Sequence, residues 1–197
     1  MDRDARFFDD KFGIHGDRAR RRRLRHDDRV GVRRQHRSGA EAEGSAEKVA
    51  AAAEFPILKV KVGDAHEADT LRVLRSLAPD KTVRVDANCG WTAQDAVARI
   101  GRLTPFKLEL IEQPTSQAHF EELGQVTREG AVPTMADESL ATLRDAFRLA
   151  SGDLTDMLNV KLMKMGGIDH CMRICAVAEA ARMKVMVGCV DESALGI

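Results

Sequence analysis

Five ionisable residues, Lys61, Asp86, Glu112, Asp137 and Lys161, recur along the chain at intervals of about 25 residues, roughly one short strand-and-helix unit each. Each one closes a short apolar run. Packing does not ask for an ionisable group at the same place in every unit, and a buried charge is costly unless it is paired or bound to metal. Three of the five, Asp86, Glu112 and Asp137, offer only oxygen, with no Cys or His among them. Such a set suits a hard cation of the magnesium type that keeps open positions for water or substrate. In a parallel sheet the C-terminal strand ends share one mouth, so the five side chains would converge there. In a closed eight-stranded barrel, Lys61 and Lys161 would lie on strands four steps apart, on opposite sides of that mouth, with the metal strands between them. A carboxylate substrate held at the cation would then have one amine on each face of its α-carbon, one to remove the proton and one to return it. The cation would stabilise the resulting enediolate, and nearby positive charge would lower a lysine pKa toward the range of a working base.

Positioning such a set requires alternating strands and helices, and from Ser45 onward the pattern supplies them. Strands are expected at 57–62, 83–87, 108–112, 134–137, 157–161 and 185–189. Amphipathic helices separate them, for example 92–102, where Thr92 and Asp95 resemble a capping box, and 168–183 after the Gly166-Gly167 turn. Strict alternation predicts a parallel sheet with crossover helices.

The 197 residues carry 44% hydrophobic and 31% charged residues with no net charge, a composition of globular proteins, and no apolar run reaches the roughly 18 residues of a membrane span. Charges occupy the N-terminus where a secretory signal would be apolar, so the expected location is the cytoplasm. The four cysteines are too few and scattered for a disulfide framework, and Cys171 and Cys175, one helical turn apart, read as buried small residues. His66, His119 and His170 read as surface residues, and Trp91 as core. Residues 1–44 differ from the rest. They are Arg-rich, including Arg20-Arg21-Arg22-Arg23, with neither a period of two nor one of 3.6. We expect them to be disordered or read out of frame rather than to bind nucleic acid, since Asp is mixed among the Arg and aromatics are not interleaved.

The motifs Lys59-Val60-Lys61, Val85-Asp86-Ala87-Asn88 with Gly90-Trp91, Ile111-Glu112-Gln113-Pro114, Ala136-Asp137-Glu138-Ser139, Asn159-Val160-Lys161 and Lys164-Met165-Gly166-Gly167 resemble successive strand ends of the mandelate racemase/muconate lactonizing enzyme family of the enolase superfamily. The resemblance runs from about Ser45 to the end. It implies that Lys61 and Lys161 are the acid/base pair, that Asp86, Glu112 and Asp137 bind Mg2+, and that Lys59 and Asn88 support the site. Glu138 and Glu192, near the mouth, are further candidates for the metal network or the substrate. Residues 161–164 and 188–197 are most similar to dipeptide epimerases of the L-Ala-D/L-Glu type. That implies an isomerase, a racemase or epimerase acting by 1,1-proton transfer on a small carboxylate substrate, with no membrane or nucleic-acid partner. A lyase or cycloisomerase such as o-succinylbenzoate synthase or muconate cycloisomerase would use the same lysines for β-elimination or its reverse, and remains an alternative. The family's N-terminal capping domain, first strand and last strand are not found in the sequence. The expected fold is therefore α/β, a partial (β/α)8 TIM barrel over residues 45–197 with about six of eight strands and no capping domain. Its open edges would favour a homo-oligomer, and a catalytically inactive fragment is a third reading.

Overall fold

The computed structural model describes residues 30–33, 49–63 and 66–190. Seven strands form one parallel sheet in chain order: β1 (Val30–Arg33), β2 (Ile57–Lys61), β3 (Thr82–Asp86), β4 (Leu110–Glu112), β5 (Thr134–Ala136), β6 (Met157–Val160) and β7 (Lys184–Val187). The helices are α1 (Glu67–Leu77), α2 (Ala93–Leu103), α3 (Phe120–Glu129), α4 (Leu143–Ser151), a single turn α5 (Leu162–Met165) and α6 (Ile168–Ala180). This is the parallel sheet with crossover helices that the alternating pattern predicts, in the partial barrel that the resemblance implies, and all six expected strands are present. The seventh, β1, is a difference from that reading. It pairs with β2 from Val30↔Ile57 to Arg33↔Val60, in a stretch where four residues, Val-Gly-Val-Arg, are too few to show a period against Arg-rich surroundings. The expectation of disorder for the rest of residues 1–44 lies outside the described residues.

Register decides which side chains share a face. Lys61 pairs with Asp86 and Asp86 with Glu112, Glu112 with Met135, and Met135 with Met157. Because strand side chains alternate, one face carries Lys59, Lys61, Arg84, Asp86, Leu110, Glu112, Met135, Asp137, Asn159 and Lys161. The other carries Leu58, Val60, Val83, Val85, Ile111, Ala136, Leu158 and Val160, all buried. These pack on the helices, whose buried residues recur three and four apart, as with Ala93, Ala96, Ile100 and Leu103 of α2 or Cys171, Ile174, Cys175 and Ala178 of α6. The cysteines of α6 are therefore core, and burial pushes the Cys175 thiol up to about 11. Trp91 is also buried, whereas His66, His119 and His170 are exposed. The sheet curls: Arg84 of β3 reaches Met186 of β7, Nη1 to Sδ 3.3 Å, across three intervening strands.

Helix starts follow local chemistry. Thr92 caps α2 by accepting from the Asp95 N–H, and Thr142 with Asp145 forms a complete capping box on α4. No helix among the described residues is long and apolar enough to cross a membrane.

Candidate active site

The polar face of the sheet ends in a mouth built by the residues at the C-terminal strand ends and the turns after them. Lys59 stands at its base, with Nζ 2.8 Å from Asp86 Oδ2 and 2.7 Å from Glu112 Oε2. All three side chains are nearly enclosed, at 13%, 3% and 0% exposure. Burial works against the charge of Lys59, but Glu112 and Asp86 more than offset it, and its pKa is raised. Burial pushes the Glu112 carboxyl up to about 7 in spite of the Lys59 ammonium, with Asp86 adding to the rise. Its Oε1 accepts from Asn159 Nδ2 at 3.0 Å, while its Oε2, despite the short approach of Lys59, has no aligned hydrogen bond among the described residues.

Above this layer, Lys61 donates to Asn88 Oδ1, and Asn88 Nδ2 donates to Glu138 Oε1 at 3.1 Å. Asn88 reaches both because the turn after β3 is left-handed at Asn88 and Cys89, φ 44° and 63°, with Asn88 N–H bound to Asp86 Oδ1 at 3.0 Å. Across the mouth, Lys161 Nζ donates to Asp137 Oδ2 at 2.6 Å. Lys164 donates to both Asp137 Oδ1 and the Asp137 carbonyl. Burial alone would raise the Asp137 carboxyl, but the hydrogen bonds from Lys161 and Lys164 and their charges hold it below the usual range.

The expected residues thus meet in three linked groups: Lys59 with Asp86 and Glu112; Lys61 with Asn88 and Glu138; and Lys161 with Asp137. Lysines stand among the carboxylates, and among the described residues no three acidic, His or Cys side chains already close on a common point. Glu192 lies outside the described residues. Three residues escaped the sequence reading. Lys164 was left without a role. Asn159 and Gln113 lay inside quoted motifs, yet nothing in their spacing announced a partner. Gln113 is fully buried with φ 37°. Its Oε1 accepts from the N–H of Asp137 at 2.9 Å and of Ser139 at 3.0 Å, and its Nε2 donates to Ser139 Oγ and the Thr115 carbonyl. The only hint was a polar residue wedged between a ligand candidate and Pro114.

Gly188 guards Asn159. A Cβ at 188 would lie 2.2 Å from Asn159 Oδ1 and 3.0 Å from its Cγ, so Gly188→Ala must push the carboxamide off Glu112. With one buried acceptor left short, the expected loss is about 1–3 kcal/mol, read as a lower urea midpoint at unchanged slope. An unchanged midpoint would mean that the Asn159–Glu112 bond contributes little.

The profile of a family described as "Enolase C-terminal domain-like" matches residues 41–197. The chain belongs to this family. Among members of this enolase C-terminal domain-like family, the hydrophobic dipeptide epimerase of Enterococcus faecalis is 40% identical over 147 residues, covering 73% of this chain and 42% of that protein. A chloromuconate cycloisomerase of Delftia acidovorans is 40% identical over 142 residues, covering 70% of this chain and 38% of that protein. A crystal structure of the dipeptide epimerase from Enterococcus faecalis complexed with Mg and the dipeptide L-Leu-L-Tyr superposes with a TM-score of 0.76 at 35% identity, over 87% of this chain and 50% of that one. The chain spans less than half the length of these curated relatives. By ancestry it comes from a lineage of isomerases.

Proposed function

We propose that residues 45–197 form the catalytic part of a Mg2+-dependent racemase or epimerase that removes and returns the α-proton of a carboxylate substrate, a dipeptide of the L-Ala-D/L-Glu type, by two-lysine 1,1-proton transfer. The observation that carries this reading is the placement of Lys61 at the end of β2 and Lys161 just past β6, with the three carboxylate-bearing strands between them. Each amine is already oriented, Lys61 by Asn88 and Lys161 by Asp137, so a proton can be exchanged at either Nζ from its own side. Asn88 also couples Lys61 to Glu138, which would fix the direction of that side chain.

Asp86, Glu112 and Asp137 would hold the ion. Their donor set fits Mg2+, being oxygen only, and Glu112 is fully buried, with burial and the neighbouring Asp86 holding its carboxyl up at about 7 even with Lys59 2.7 Å away. When bound, the ion supplies positive charge against the negative charge that develops on the substrate carboxylate as the α-proton leaves. Lys59 supports the carboxylates from below. The Enterococcus faecalis complex with Mg and a dipeptide supports both the ion and the substrate class.

A second reading, a cycloisomerase using the same lysines for β-elimination or its reverse, is supported by the equal 40% identity to chloromuconate cycloisomerase. Polarimetry on L-Ala-L-Glu with Mg2+, run beside an ultraviolet assay on chloromuconate, separates the two. Rotation change in the dipeptide is the expected result; turnover of chloromuconate alone would sink the epimerase reading.

A further inference from the structure

Two lysines hold one carboxylate at the mouth, and they hold it differently. Lys161 touches Asp137 once, at Oδ2. Lys164, one turn later in α5, binds Oδ1 and, with the same Nζ, the main-chain carbonyl of Asp137. That carbonyl also accepts the Leu140 N–H at 3.0 Å, and the Asp137 N–H is bound to Gln113 Oε1. The turn carrying Asp137 is therefore fixed at its N–H, its carbonyl and one carboxylate oxygen by groups other than Lys161. Among the described residues, the other oxygen, Oδ2, is held by Lys161 alone. Lys164 is itself fixed by its own turn: its N–H is bound to the Lys161 carbonyl at 3.1 Å, and α5 ends on Gly166 at φ 79°.

We propose that Lys164 is a positioning residue: it clamps the main chain and Oδ1 of Asp137, so that Lys161 can leave Oδ2 for the substrate while the carboxylate stays aimed into the mouth. This rests on the proposed reading in which Asp137 is an ion ligand and Lys161 a base. Partners that orient a ligand from behind typically matter to metal affinity by about 10–100-fold when lost. A plain counter-charge behaves oppositely, since removing a nearby ammonium favours a second cation.

The two lysines carry the same charge against the same carboxylate, so comparing their removal isolates the clamp. Mn2+ binding to the full chain, followed by electron paramagnetic resonance of the free ion, is measured for the wild type, Lys164→Met, Lys164→Arg and Lys161→Met, each checked for folding by circular dichroism. The expected result is about ten-fold weaker binding for Lys164→Met, partial recovery for Lys164→Arg, and binding at least as tight as wild type for Lys161→Met. If Lys164→Met binds Mn2+ as well as or better than wild type, the lysine is only a counter-charge and the proposal fails while the ion site stands. Weakening of equal size in Lys161→Met also overturns it, because the main-chain grip would then be irrelevant. A wild type that binds no Mn2+ overturns the ion site itself, and this proposal with it. Should Lys164→Met lose its fold, Lys164→Arg decides against wild type: the clamp predicts that Arg, which keeps the charge but replaces the single ammonium that serves both acceptors by a larger planar group, binds Mn2+ more weakly than wild type, and wild-type affinity in Lys164→Arg overturns the clamp.

Discussion

Lys59→Met should lower the stability of the metal-free chain by about 3–5 kcal/mol, because removing one partner from a buried ionic group leaves uncompensated charge behind. Lys59 bridges two carboxylates at 2.8 and 2.7 Å, and Asp86 and Glu112 face each other across paired register positions. Met preserves the aliphatic stem, so the loss reports the charge rather than packing. The deficit should depend on pH in a definite direction. The Glu112 carboxyl is pushed up to about 7 when folded and lies near the ordinary glutamate value of 4.5 when unfolded. Over that window the folded chain binds more protons, so stability falls as pH rises. Without Lys59 the folded carboxyl titrates higher still, so the deficit relative to wild type should be larger at pH 7 than at pH 5. Saturating Mg2+ should raise the variant's own stability, since an ion at a hundred times its Kd adds about 2.7 kcal/mol to the state that binds it. Urea titrations at the two pH values, with and without MgCl2, check all three statements. An unaltered midpoint would show that the bridge contributes nothing. A variant whose midpoint Mg2+ leaves untouched would argue against Asp86 and Glu112 as ion ligands.

The second large effect concerns the two proposed bases. Lys61→Ala and Lys161→Ala should each reduce dipeptide epimerisation by about 10³-fold, within the range for loss of a general acid or base. Neither should unfold the chain. Asp137 keeps Lys164 when Lys161 is removed, and Lys61 makes its hydrogen bond to a neutral amide that still has Glu138. Arg at either position should rescue little, because a guanidinium does not give up its proton. Parallel rate and denaturation measurements separate this outcome from misfolding: a variant that loses rate and stability together would mark its lysine as structural.

The strand ends were legible in the sequence because each places an ionisable residue after an apolar run, and alternation then fixed the lined face. Thr92 likewise announced its helix by a side chain that bonds the backbone three residues on, whereas the same device at Thr142 was not read from the sequence. What the sequence concealed are contacts between units. Asn159 and Glu112 lie 47 residues apart in the chain and Lys164 and Asp137 27 apart, and each pair meets only once the strands are in register and the turns take their left-handed positions. Gly188 is a similar case: its lack of a side chain matters because Asn159 comes within 2.2 Å of where a Cβ would stand. β1 was missed for a different reason. Four residues cannot display a period, and their strand conformation depends on pairing with β2.

Two opposed lysines with a carboxylate set between them make a stereochemical commitment, and deuterium uptake reads it most directly. In D2O with Mg2+, the wild type should wash deuterium into the α-position of both L-Ala-L-Glu and L-Ala-D-Glu, as followed by proton NMR. Lys61→Ala and Lys161→Ala should each retain exchange with a single epimer, and with opposite epimers. Exchange of both epimers persisting in both variants would contradict the two-base mechanism.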